Sequence, residues 1–238
     1  MKLTILGKYG PFPPVNGATS GYLLQSDNAN AVIDCGSGTL NRLKGKIKVE
    51  DIDFIVLSHL HFDHISDMGV LSYALAFSKK KEKVNVYLPA FECKALETLK
   101  SMAEFNLIFI EENKVYYEKD LEFSFYKMTH PVLSYGVKIS SGEKTFAYTG
   151  DTTVNCNIRN LVSNANVVLC DGAFLQEDYL ETKPHMSVIQ AVEVEKLFGG
   201  KVIVTHVGEG YKDSQVESEI KSVSQTAELA IEGKTYSI

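Results

Sequence analysis

No run of the chain approaches the roughly 18 apolar residues that a membrane-spanning helix needs, so no membrane partner is expected. The opening Met-Lys-Leu-Thr-Ile-Leu is too short and too soon interrupted to read as a signal peptide. Cysteine is sparse. Cys35, Cys93, Cys156 and Cys170 show neither CxxC spacing nor the density of a disulfide framework. They read as reduced, mostly buried thiols of a cytoplasmic protein, core filler rather than ligands. Positive charge is also short. With 24 Lys+Arg against 30 Asp+Glu the net charge is −6, which leaves no electrostatic footprint for nucleic acid. Internal repeats and low-complexity linkers are absent as well. What remains is an ordinary globular composition, 45% hydrophobic and 23% charged, read as one domain over 1–238.

Against that plain background one stretch stands out, Ser58-His59-Leu60-His61-Phe62-Asp63-His64. It sets three of the six histidines and a carboxylate within six positions, just after the strand-like apolar run Ile52–Leu57. Imidazole nitrogen and carboxylate oxygen are donors for Zn²⁺, Mn²⁺ and Fe²⁺. The i, i+2 spacing of His59 and His61 cannot share a helical face but suits a turn leaving a buried strand. Asp63 and His64 would point elsewhere, towards a second ion.

Periodicity and punctuation predict strands at Lys2–Leu6, Tyr22–Leu24, Ala31–Ile33, Val84–Leu88, Leu107–Phe109 and Val115–Tyr117. Further strands are expected at 122–128, Tyr135–Ile139, Thr145–Tyr148, Val167–Leu169, Val202–Val204 and Lys234–Ser237. Helices are expected from Thr39, over Ile65–Phe77, from Pro89 to Met102, over Ile158–Val162 and over Ser187–Phe198. A last helix from Asp213 or Ser214 would bury Val216, Ile220, Val223, Ala227 and Ala230 on one face. Lys79-Lys80-Lys81 reads as the basic last turn of the Ile65–Phe77 helix. The proline- and glycine-rich segment Gly7–Gly21 can be neither helix nor central strand and is long enough to be functional. The order implies two sheets packed face to face with helices outside.

His130, Asp151 and His206 each follow a predicted strand, in Thr129-His130-Pro131, Thr149-Gly150-Asp151-Thr152 and Thr205-His206-Val207. Several strands ending in ligand-type residues make a site shared by loops at one sheet edge. Taken together, SHLHFDH, the lone histidine, Gly-Asp-Thr and the late Thr-His resemble the metallo-β-lactamase superfamily, over nearly the whole chain. The resemblance implies an α/β (α+β) fold, a four-layer αββα sandwich, with a dinuclear site along one edge. His59, His61 and His130 would bind the first ion, and Asp63, His64 and His206 the second. Asp151 would bridge them. The true β-lactamases use a cysteine ligand, and none is placed for it here. Zinc is the first choice for the two divalent ions, with manganese and iron as alternatives.

A second local match is to the ribonuclease Z branch. Lys183-Pro184-His185-Met186-Ser187, Gln190-Ala191 and Val202–His206 place a histidine 21 residues before the last ligand. Asp171-Gly172-Ala173-Phe174 occupies the place of that branch's His-Glu-Ala-Thr, with aspartate where glutamate is usual. By this resemblance His185 is the general acid and Asp171 fixes its tautomer, while Asp63 orients the nucleophile as well as ligating. Ions about 3.5–4 Å apart would hold a hydroxide for in-line attack on phosphorus. Asp151 follows His130 by only 21 positions, no room for a tRNA-gripping arm, which with the acidic charge argues against tRNA. The expected substrate is a small or cyclic phosphodiester. Alternatives are a ribonuclease Z-like endonuclease, a lactonase- or thioesterase-type acyl hydrolase, and a non-catalytic metal-binding protein. Tyr211 reads as a packed tyrosine rather than a substrate contact, and exposed helices leave room for a homodimer.

Overall fold

The computed structural model describes residues 1–238. Strands β1 (Lys2–Gly7), β2 (Gly21–Gln25), β3 (Asn30–Cys35), β4 (Phe54–Val56), β5 (Val84–Leu88) and β6 (Phe105–Phe109) form one sheet. They are joined by the late strand β14 (Thr235–Ser237), giving the order β14-β1-β2-β3-β4-β5-β6. The second sheet contains β7 (Val115–Glu118), β8 (Leu121–Lys127), β9 (Tyr135–Ser141), β10 (Lys144–Tyr148), β11 (Val167–Asp171), β12 (Lys201–Thr205) and β13 (Glu228–Leu229), in the order β13-β12-β11-β10-β9-β8-β7. Helices α1 (Thr39–Lys44), α2 (Phe62–Ile65), α3 (Met68–Ala76) and α4 (Lys94–Lys100) belong with the first sheet. Helices α5 (Asn157–Val162), α6 (Val188–Glu193) and α7 (Asp213–Val223) belong with the second.

Three apolar clusters define the layers. The largest, including Tyr22, Phe54, Tyr87, Phe123 and Phe146, lies between the sheets, where Phe54 of β4 stacks on Phe123 of β8 at 5.0 Å between centroids. A second packs α1, α3 and α4 on the outer face of the first sheet, through Leu43, Leu71 and Leu96. The third packs α5, α6 and α7 on the second, through Leu161, Val192 and Val216. The result is the four-layer αββα sandwich. Strands β3–β6 run parallel, as do β10–β12. Parallel strands buried on both faces read as unbroken apolar runs, which is why Phe54-Ile55-Val56 and Val202-Ile203-Val204 are so legible.

Four helical expectations change. The segment Ile65–Phe77 breaks between α2 and α3, because the Asp67 amide donates to Cys35 O (3.0 Å) and its carboxylate accepts from Leu40 N (2.8 Å). Helix α3 then ends at Ala76, so Lys79–Lys81 lie beyond it and are not its last turn. Helix α4 starts at Lys94, not Pro89, since Cys93 is fully extended at φ −158°. Helix α6 tightens into a 3₁₀ turn over Val194–Leu197. Helix α7 stops at Val223, because Ser224 Oγ accepts from the amides of Thr226 and Ala227 and turns the chain. Ala227 and Ala230 are buried, but outside the helix. No helix is long and apolar enough to cross a membrane.

Candidate metal centre

The edge where β4, β8, β10, β11 and β12 end gathers the ligand-type residues. His59 and His61 sit on the turn after β4, and the single turn of α2 carries Asp63 and His64. His130 follows β8, Asp151 follows β10, and His206 follows β12 in a left-handed conformation (φ 60°). The donor atoms of His59, His61, His130 and Asp151 all lie within 4.8 Å of one another, as do those of Asp63, His64, Asp151 and His206. Asp151 is common to both groups. Its Oδ2 is 3.5 Å from His59 Nε2 and 3.3 Å from both His64 Nε2 and His206 Nε2. The structure thus brings together all seven residues named from the sequence.

Their orientation comes from partners behind them. His64 Nδ1 lies 2.7 Å from Asp34 Oδ2, His130 Nδ1 3.2 Å from the carbonyl of Pro184, and His206 Nδ1 3.0 Å from Ser20 Oγ. Because a carbonyl only accepts, His130 carries its proton on Nδ1. Its Nε2 lone pair therefore turns inward, 3.2 Å from His61 Nδ1. Gly10 lies on the His206 ring so closely that a Cβ there would overlap it.

Electrostatics at this edge favour a cation. Burial opposes charge on His64, yet Asp151 and Asp34 hold it well above the ordinary imidazole range. Burial would likewise raise Asp151, but His206, His64 and His59 keep its carboxyl well below the usual carboxylate range. His59, crowded by His64 as well as desolvated, is pushed well down. Two buried ligand-type atoms, His64 Nε2 and Asp151 Oδ1, have no hydrogen-bond partner. Orphaned ligand-type atoms, inward lone pairs and a mixed imidazole–carboxylate set fit divalent first-row ions.

Beside this cluster His185 Nδ1 lies 2.9 Å from Asp171 Oδ2, and Asp171 also accepts from the amide of Thr152 at 2.9 Å. Burial opposes protonation of His185, but Asp171 and then Asp151 raise it to about 9. With His206, it lines a cavity of about 440 Å³ walled also by Phe12, Phe174, Glu209 and Tyr211. Tyr211 is therefore a wall of the cavity, with its hydroxyl on Asp178 Oδ2 (2.8 Å), and not simply packed. Cys35 and Cys170 are buried outside the ligand groups.

Sequence reasoning missed Asp34. Fully buried, it accepts from Ser58 N, Ser58 Oγ and Tyr148 Oη besides facing His64. A carboxylate closing the apolar run Ala31-Val32-Ile33 was the available signal. Ser20 and Tyr148 carried no comparable mark.

Two sheets packed face to face under helices, with a histidine–aspartate cluster along their common edge, define a metal-dependent hydrolase of the metallo-β-lactamase fold. The chain belongs to the family described as Anti-Pycsar protein Apyc1, whose model matches residues 1–230. A Bacillus subtilis (strain 168) relative described as probable metallo-hydrolase YhfI is 30% identical over 228 residues, spanning 94% of this chain and 93% of its own. The crystal structure of YhfI, described as a metallo-beta-lactamase fold protein, matches at TM-score 0.92 with 28% identity over 99% of each chain. Human tRNase Z, short form, matches at TM-score 0.80 and 19% identity, over 100% of this chain and 99% of its own. A diphosphatase from the PhnP family matches at 0.77 and 18%, over 100% and 97%. At these identities the last two show the fold alone.

Proposed function

We propose that residues 1–238 form a single-domain, dinuclear phosphodiesterase that opens small or cyclic phosphodiesters. The observation that carries this reading is the pairing of two donor groups through Asp151 with the His185–Asp171 pair at the mouth of a cavity. His59, His61 and His130 would hold one ion, Asp63, His64 and His206 the other, and Asp151 both. Zinc suits the set best, and manganese or iron also match its donors. Bound there, divalent ions would supply positive charge for a phosphoryl oxygen and acidify a water.

The protein's own groups do the rest. Asp63, only partly satisfied by His64 (3.5 Å) and His206 (3.8 Å), is placed to orient the attacking water. Asp171 holds the proton of His185 at Nδ1, which leaves Nε2 to protonate the departing oxygen. Asp171, beside Nδ1, favours the acid form this role requires.

A small substrate is favoured by the cavity, whose lining carries Glu209 and no lysine or arginine. A strand pair, β9 and β10, takes up the interval between His130 and Asp151. The names of tRNase Z and of the PhnP-family diphosphatase support phosphorus esters as the substrate class. The test is hydrolysis of bis(p-nitrophenyl) phosphate, 2′,3′- and 3′,5′-cyclic nucleotides, a pre-tRNA and an acyl lactone, after loading with Zn²⁺ or Mn²⁺. Metal-dependent turnover of the small diesters is expected. Turnover of lactone or pre-tRNA alone, with ions bound, would overturn the reading.

A further inference from the structure

Between His206 and the start of α7 at Asp213, the chain walls the cavity with Gly208, Glu209, Gly210 and Tyr211. Two glycines in four residues give this stretch little stiffness of its own. Gly208 N donates to Ala173 O (3.3 Å), Tyr211 N closes a turn on Gly208 O (3.2 Å), and the Tyr211 hydroxyl is tied to Asp178. Glu209 and Gly210 are exposed and make no hydrogen bond within the chain. The wall therefore depends on how its two ends are held.

Both ends meet Lys8. At the near end Val207 N donates to Lys8 O (3.0 Å) and Gly10 N to Val207 O (3.2 Å), a short parallel bridge. This bridge follows directly on His206, whose left-handed backbone (φ 60°) is uncommon for a side chain of that size and needs such support. At the far end Lys8 Nζ donates to Asp213 Oδ1 at 2.7 Å. One residue thus spans the base of the loop. It also leads into Gly10, Pro11 and Phe12, which line the same cavity from the other side.

Packing alone does not call for a lysine here. The Lys8 side chain is 3% exposed, Asp213 is its one ion pair, and the Tyr9 ring centroid lies 5.1 Å from its ammonium. Lysine is among the residues least often buried, and replacing a buried ion pair by apolar groups is often neutral or stabilising. Methionine would fill much the same space without a charge to desolvate. What methionine cannot do is reach a half-exposed carboxylate on the first turn of α7.

We propose that Lys8 is a positioning residue that holds the cavity wall 207–213 by both ends, its carbonyl on the His206 side and its ammonium at the start of α7. The inference rests on the reading of this cavity as the substrate site. The two anchors separate by chemistry. The carbonyl survives any change of side chain, so His206 keeps its setting and the metal its donors. Loss of the ammonium frees the wall and loosens its fit to substrate.

Hydrogen–deuterium exchange over 207–213 in the zinc-loaded full chain, with steady-state kinetics on the small diesters, tests this. Lys8→Met should speed exchange there about tenfold and raise KM about tenfold. Bound zinc and kcat should stay within about twofold, and Tm should hold or rise. Asp213→Ala, at a half-exposed position, removes the partner without touching the core and should change exchange and KM in the same way. Reversing the pair, in the double variant Lys8→Glu with Asp213→Lys, should restore part of both. Unchanged exchange in both single variants would overturn the proposal, and so would faster exchange with an unchanged KM. A lower Tm for Lys8→Met with exchange and KM intact would make Lys8 a core residue only. If no diester is turned over, exchange and Tm still decide between anchor and filler, so failure of the substrate reading stays distinct from failure of this one.

Discussion

At the scale of single residues the site divides into groups that would touch metal or substrate and groups that aim them. His185 belongs to the first kind under the proposed mechanism. His185→Ala should keep its metal, measured by elemental analysis, and lose about 10²–10⁴ in kcat on a poor leaving group. A p-nitrophenolate leaving group needs less protonation, so the loss there should be smaller. Asp171 acts through His185 and raises it. The acid form is lost as pH rises through the His185 value, so the alkaline limb of kcat marks that loss. Asp171→Asn should move the limb to lower pH, and an unmoved limb would detach Asp171 from the proton transfer. Asp34 is of the second kind, with four donors converging on a carboxylate that is wholly buried. Asp34→Ala strands all four. A loss of about 3 kcal/mol is expected, read as a fall in Tm of about 6–12 °C.

At the scale of elements, the strands were the most legible part of the chain and the joints the least. Phe54–Val56 and Val84–Leu88 announce themselves because each is an apolar run short enough to exclude a helix. The metal-type cluster was legible because unusual donors stood at unusual density after such a run. What did not show were contacts between residues distant in sequence. The break at Asp67 depends on Cys35 O and Leu40 N, the end of α7 on Ser224, and the setting of His64 on Asp34. None leaves a local period to read. Helix α6 is an exception, since Ser187 and Gln190 form a reciprocal capping box visible as Ser-x-x-Gln. Ser187 Oγ also donates to Gln176 Oε1 at 2.7 Å. Ser187→Ala should cost about 1 kcal/mol, or about 2–4 °C in Tm. Because the Ser187 cap of α6 lies two residues after His185, kcat should fall with it while bound metal does not.

At the scale of the whole molecule the candidate centre is where the two sheets are tied. His59, His61, Asp63 and His64 come from the first sheet's connections, and His130, Asp151 and His206 from the second's. An ion held by donors from both halves binds only when the halves are packed, so it stabilises the folded state by mass action. At free metal about a thousand times the dissociation constant, the gain is about 4 kcal/mol, which should raise Tm by about 8 °C or more. A chelator should remove that increment, and re-addition of Zn²⁺ should restore it. Protons compete for the same nitrogens and carboxylates, so the increment should shrink as pH falls from 8 towards 5 and recover as it rises. Asp151→Ala is the decisive control. It deletes the donor shared by both groups, so its Tm should barely respond to metal at any pH. A variant that kept the full metal-dependent rise would show that Asp151 does not join the two halves through an ion.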